Sequence, residues 1–194
     1  IAAETDVPVS CDTWKSATAR AALAAGASLI NDISAGTMDP DLFTAVREAG
    51  AGIILMHMRG TPETMQDAPR YDDVVGEISA FLRQAVNRAQ AAGIPADAIA
   101  IDPGIGFGKR VSDNLAILNC LREFCSLGRP VVIGASRKSF IGHITGAPAE
   151  KRLAGSLAAA VIAALNGAAV LRVHDVAETK QALEVAAAVM QAKG

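Results

Sequence analysis

Short runs rich in Val and Ile alternate along this chain with Ala-rich stretches, and no other feature limits the fold so tightly. The runs fall at residues 7–10, 29–33, 53–56, 99–101, 131–133 and 170–173. Between them lie stretches of helical spacing, such as 16–25, 73–92 and 178–192. β-Branched residues favour strands and Ala favours helices, so propensity and pattern agree. Gly26, Gly50, Gly93, Gly128 and Gly167 each stand where a helix should stop, shortly before the next run. Six strand–helix units of this kind need parallel strands, because each helix carries the chain back to the starting edge. An α/β fold follows, either an open doubly wound sheet or a closed (β/α)8 barrel. A barrel normally takes eight units and roughly 250 residues. The pattern alone leaves both architectures open.

One domain, residues 1–194, is expected, since no low-complexity tract, charge block or linker divides the chain. An apolar share of 51% with a net charge of −2 excludes a disordered chain, and the slight acidity argues against a nucleic-acid partner. The longest wholly apolar run, residues 157–165, is half a bilayer span, so no membrane segment is expected. Cys11, Cys120 and Cys125 have no CxxC spacing, which indicates neither a disulfide framework nor a zinc site; a cytoplasmic location is the expectation. The chain opens on Ile1 rather than Met, as a partial sequence would.

Chemistry-bearing residues gather where the strands end. Asp12 closes the first run and Asn31 and Asp32 sit within the second. Met56 and His57 follow the third, Asp102 the fourth, Gly134 and Ser136 the fifth, Arg172 and His174 the sixth. In a parallel α/β protein those ends share one rim, where ligands bind. The long segments 58–71, 103–114 and 137–150 also follow strands, as functional loops do. Ser136, Arg137, Lys138 and Ser139, with Arg172 and His174, are suited to a phosphorylated substrate, Arg as a fork and Lys as a point charge. Asp12, Asn31 and Asp102 suit a flat heterocycle with an amino group and a ring N–H, with Met56 and Phe107 as apolar walls. Asp32 and Asp175 are expected to be helix caps or supporting partners. His143 is assigned to the surface and Cys11 to packing, since it must face away from Asp12. The Gly104–Gly108 stretch is spaced G-x-G-x-G, not as a dinucleotide loop, and reads as a turn after Pro103. Nothing resembles a Ser/His/Asp or Cys/His nucleophile, so no covalent or general-base catalytic residue is assigned.

The strings SCDT, LINDI, LMHMRGTPETMQ, IDPGIGFGK, GASRKSFIG, GSLAAAVIAALNGA and LRVHDV follow one another in this order. Together they resemble the dihydropteroate synthase family, over nearly the whole chain, with Gly60, Thr61 and Pro62 in the matching loop. The resemblance implies the (β/α)8 TIM barrel, of which this chain would supply strands three to eight. It implies the condensation of 6-hydroxymethyl-7,8-dihydropterin pyrophosphate with p-aminobenzoate, giving dihydropteroate and pyrophosphate. It places Asp12, Asn31, Met56, Asp102, Phe107, Gly134 and Lys138 on the pterin, and Arg172 and His174 on the diphosphate. Phe107, Ser136 and Lys138 fall near the p-aminobenzoate position. Mg2+ is implied as cofactor, although the family's metal-contacting residue precedes the part represented here, so no metal ligand is assigned. A homodimer is implied, with the last helices as its interface, and low activity is expected of this chain without the first two strands. The rival readings are a pterin-dependent methyltransferase acting on a corrinoid protein and a non-catalytic pterin-binding fragment. The first has no need for the SRK and RVH cations.

Overall fold

The computed structural model describes residues 1–61, 63–65 and 67–192. Six strands run in chain order: β1 (Ser10–Asp12), β2 (Leu29–Asp32), β3 (Gly52–Met56), β4 (Ile99–Asp102), β5 (Val132–Ile133) and β6 (Val170–Leu171). Helices α1 (Ser16–Ala24), α2 (Leu42–Glu48) and α3 (Val74–Ala91) link the first four strands. Helices α4 (Val111–Asn119) and α5 (Leu121–Cys125) lead from β4 to β5. Between β5 and β6 lie α6 (Ser139–Thr145) and α7 (Leu153–Leu165), and α8 (Val176–Gln191) ends the described fold. All pairings are parallel and join neighbours in the sequence, β1-β2-β3-β4 and β5-β6, with a bridge from Ile101 to Val131 joining the two groups. A doubly wound sheet reverses its strand order at a switch point. Here the order never reverses, as in the wall of a barrel.

The pleat separates the two faces of this wall. Ile30, Ile53, Leu55, Ile99, Ile101, Val131 and Ile133 form one buried cluster with Val46, Ile78, Leu82, Ile117, Leu121 and Ala163 of the helices. Residues one position away point to the other face. Register aligns Asp12, Asn31, Ile54 and Ala100 in one inward row, and Met56 with Asp102 in the next. The apolar sheet–helix layer thus fixes the register, because a slip of one residue would turn every Ile of the outer layer inward.

Some segments differ from the sequence expectation. The first strand is Ser10–Asp12 rather than residues 7–10, and Val7 is exposed; Pro8 cannot donate to a ladder, which pushes the strand beyond it. Segment 137–150, read as a loop, contains α6. Residues 172–173, read as strand, lie past β6, although the Arg172 N–H still donates to the Ile133 carbonyl at 2.9 Å. The five helix-ending glycines all have positive φ, as expected of left-handed caps. Among the described residues no helix is long and apolar enough to cross a membrane.

Candidate active site at the strand-end rim

Strand parity decides which rim residues can meet. Asp12, Asn31, Asp102 and Arg172 all follow the inward alternation, and a continuous set of polar contacts joins them. The Asn31 amide donates to the Asp12 carboxylate, while its oxygen accepts from Arg172 Nη2 at 3.1 Å. The same guanidinium nitrogen donates to Asp102 Oδ2 at 3.1 Å, and the Gly104 N–H donates to Asp102 Oδ1 at 2.7 Å. Arg172 follows β6 yet reaches β2 and β4, so the wall curves enough to bring distant strands around one hollow. That hollow has a volume of about 240 Å³ and is lined by Asp12, Asp102, Gly104, Ile105, Phe107, Gly134, Ser136, Lys138, Arg172, Val173 and His174. A larger groove of about 490 Å³ beside β6 and α8 is mostly Ala, Leu and Val, and its charged members Lys180 and Glu184 form an exposed pair.

Asp102 is 1% exposed. Burial pushes its pKa up, while the Arg172 guanidinium and the Gly104 N–H pull it back down. On the opposite wall the Lys138 ammonium lies 4.1 Å from the centre of the Phe107 ring. Burial lowers the Lys138 pKa, Asp102 raises it and Arg172 lowers it further. Ser136 Oγ lies 2.9 Å from His174 Nδ1 and accepts from the His174 N–H at 3.3 Å. Gly134 lies beneath Arg172, where an added Cβ would make an ordinary contact with Nη1 at 3.5 Å.

The sequence-predicted residues therefore converge, and three of them stand outside the lining of the hollow. Met56 is fully buried beside Asp102 and is not part of the cavity wall, because the inward row packs it under the rim. Asn31 also lies outside the wall and acts through its hydrogen bonds to Asp12 and Arg172. Arg137 turns away: its φ is +56°, its guanidinium pairs with Asp175, and its N–H donates to Ser156 Oγ at 2.9 Å. This left-handed residue lets Ser136 and Lys138, on either side of it, face the cavity. Arg172 is held between Asp102 and Asn31, so it sits among the residues expected on the heterocycle and joins them to the His174 end.

Asp32, expected to be a helix cap or a supporting partner, accepts from the Ser34 N–H and hydroxyl and from the Gly36 N–H and so shapes the turn after β2. Asp175 precedes α8 but makes no capping bond, serving Arg137 instead. Cys11 packs against the outer cluster, and His143 is exposed on α6. Pro62 of the matching loop lies outside the described residues. Among the described residues no group of three or more His, Cys, Asp or Glu could hold a metal ion. The acids at the rim, Asp12 and Asp102, are already engaged by Asn31, Arg172 and Gly104. Mg2+ needs near-octahedral oxygen donors, which this set does not offer.

The sequence placed His57 with the rim residues, but it stands outside the lining of the hollow and belongs to a group behind it that sequence reasoning missed. Parity turns His57 outward after Met56, where its ring meets Phe81 edge-on at 4.9 Å. The buried Lys109 ammonium lies 3.0 Å from His57 Nδ1 and donates to the Phe107 carbonyl at 2.9 Å. Burial, with the charges of Lys109 and Arg59 nearby, pushes the His57 pKa down to about 3. Tyr71 donates to the Gly108 carbonyl at 2.8 Å. A lysine directly after a glycine-rich turn was the available signal, but only the folded loop shows that it points inward.

The sequence pattern described as "Pterin binding enzyme" matches residues 1–174. The chain belongs to the pterin binding enzyme family. Its curated relatives are dihydropteroate synthases: that of Escherichia coli K12 is 44% identical over 193 residues, covering 100% of this chain and 68% of the relative. The Yersinia pestis dihydropteroate synthase solved with a sulfonamide drug superposes with a TM-score of 0.95 at 41% identity, over 99% of this chain and 70% of that one. The Xanthomonas albilineans synthase in complex with 7,8-dihydropteroate gives a TM-score of 0.91 at 46% identity, over 98% and 70%. The wall of six strands is thus part of a TIM barrel.

Proposed function

We propose that the rim is the site of dihydropteroate synthesis from 6-hydroxymethyl-7,8-dihydropterin pyrophosphate and p-aminobenzoate. The observation that carries this reading is Asp102: a buried carboxylate at a strand end, with Asp12, Lys138 and Arg172 around the same hollow and Asn31 bonded to Asp12 and Arg172 from behind it. The two Asp102 oxygens match the paired N–H donors along the amino-pyrimidinone edge of a pterin. The Xanthomonas albilineans relative was solved in complex with 7,8-dihydropteroate, the product of this reaction, which supports the proposed activity. Gly134 lines the same hollow, and Arg172 and His174 lie where the diphosphate would extend from the ring. Phe107, Ser136 and Lys138 form the wall against which the arylamine would lie.

The reaction breaks the C–O bond between the exocyclic methylene and the pyrophosphate, which leaves with the bonding electrons. The arylamine nitrogen supplies the pair for the new C–N bond and then loses a proton. Cations at the rim stabilise the departing anion, and the Asp12 carboxylate favours the electron-poor methylene. No side-chain nucleophile takes part. The exposed apolar residues Val176, Val185, Val189 and Met190 of α8 support a homodimer formed through the last helices. Three cysteines held as free thiols support a reducing compartment such as the cytoplasm.

Pyrophosphate release on mixing both substrates, with calorimetric titration of the pterin, tests the reading. The wild-type protein is expected to bind the pterin, and Asp102→Asn to weaken that binding by about 1–3 kcal/mol through a mismatched donor. Equal dissociation constants for the two proteins would refute the pterin pose.

A further inference from the structure

The loop after β4 forms one wall of the cavity, yet only part of it is tied to the sheet it leaves. Gly104 is held by Asp102, and the Gly106 N–H donates to Asn114 Oδ1 at 2.7 Å. The Phe107 carbonyl is held by Lys109, whose side chain turns back beneath the loop. Lys109 Nζ also reaches the His57 ring nitrogen at 3.0 Å and lies 3.4 Å from the His57 carbonyl oxygen. One ammonium, 5% exposed, therefore joins the end of β3 to the backbone of the residue whose ring faces Lys138. Gly104 allows this approach: a Cβ there would stand 2.0 Å from the His57 carbonyl oxygen.

We propose that Lys109 is a positioning residue that ties His57 to the Phe107 carbonyl and so sets the Phe107 ring as the wall for the arylamine. The inference rests on the dihydropteroate synthase reading and extends it beyond the residues lining the cavity. An ammonium has three protons for its three acceptors, the His57 ring nitrogen, the His57 carbonyl and the Phe107 carbonyl. For this, His57 must offer Nδ1 as an acceptor, which a neutral ring does with its proton on Nε2. The charged groups around Lys109 come from several elements: Asp102 at the end of β4, Asp113 on α4, Arg59 after β3 and Lys138 after β5. Burial dominates and brings the Lys109 pKa down to about 7, against the opposing pull of the two aspartates. Above that pH the amine has one donor fewer and the tie loosens.

The test is steady-state kinetics of dihydropteroate formation by the full-length enzyme, with each substrate varied in turn between pH 6 and 9. Lys109→Met and His57→Leu are expected to raise the KM for p-aminobenzoate about tenfold, as the loss of a hydrogen bond from a charged donor would. The KM for the pterin substrate should move by less than about threefold, because the Asp102 contacts remain. His57→Gln, which keeps an acceptor, should recover most of the loss. Wild-type kcat/KM for the arylamine should fall above pH 7, and Lys109→Met should lack that fall. Circular dichroism checks folding; should Lys109→Met not fold, the His57→Gln and His57→Leu pair and the wild-type profile decide. Equal effects on both KM values, a normal arylamine KM in the folded variants, or no wild-type fall above pH 7 would overturn the proposal. A wild-type enzyme that forms no dihydropteroate would instead overturn the functional reading itself.

Discussion

A carboxylate buried as deeply as Asp102 needs donors at both oxygens, and here Gly104 and Arg172 supply them, although burial still holds its pKa above the usual carboxylate range. Burial acts on His57 as well and favours its neutral ring. Its ring lies against Phe81 with a lysine ammonium at one nitrogen, so protonation would place two like charges side by side out of water. With a pKa near 3 in the fold and about 6.5 in the unfolded chain, the unfolded state binds the extra proton between those values. Stability from a neutral His57 is therefore present above pH 6.5 and lost as pH falls toward 3, by up to about 1.4 kcal/mol per pH unit. Urea unfolding at pH 7 and pH 5 should show a smaller acid loss for His57→Gln than for the wild type; identical losses would mean that His57 is not the group titrating. The carboxylates and cations of the rim could be read from sequence because charge at a strand end has few packing uses. Lys109 could not, since a lysine in a polar loop gives no sign that it folds inward.

At the scale of elements, the loop from Gly104 to Gly108 connects sheet geometry to the site. Gly104 has φ +74°, and the nearest atom to an added Cβ is the His57 carbonyl oxygen. Gly104→Ala must therefore move the loop or bend β3. Denaturant unfolding is expected to show a cost of about 1–3 kcal/mol, with weaker pterin binding because the Gly104 N–H leaves Asp102. A variant as stable as the wild type with unchanged binding would show that the turn is not held this tightly. The G-x-G-x-G spacing was legible as a turn, but its close approach to β3 needs coordinates. The helix-ending glycines and most strand centres were legible from pattern. The first strand was displaced because Val7 and Val9 carry strand propensity next to Pro8, which cannot pair. Helix α6 was hidden because SRKSFIG mixes a charged turn with a short apolar face.

Across the whole molecule, monotonic parallel order and curvature bring residues 141 positions apart, Asn31 and Arg172, into contact. The choice between barrel and open sheet was not legible from six units, since both use the same strand–helix alternation. It is decided by strand order and by the synthase structures that the fold matches. The reading depends on that curvature, because no single element carries the site: β1, β4 and the segments after β4, β5 and β6 line it, and β2 supports it through Asn31. A crystal structure with 6-hydroxymethyl-7,8-dihydropterin pyrophosphate bound measures this most directly. The predicted result is a pterin ring in the hollow between Arg172 and the loop after β4, with its amino-pyrimidinone edge in hydrogen-bond contact with Asp102. A ligand seated elsewhere, or one in the hollow with Asp102 still paired only to Arg172 and Gly104, would contradict it.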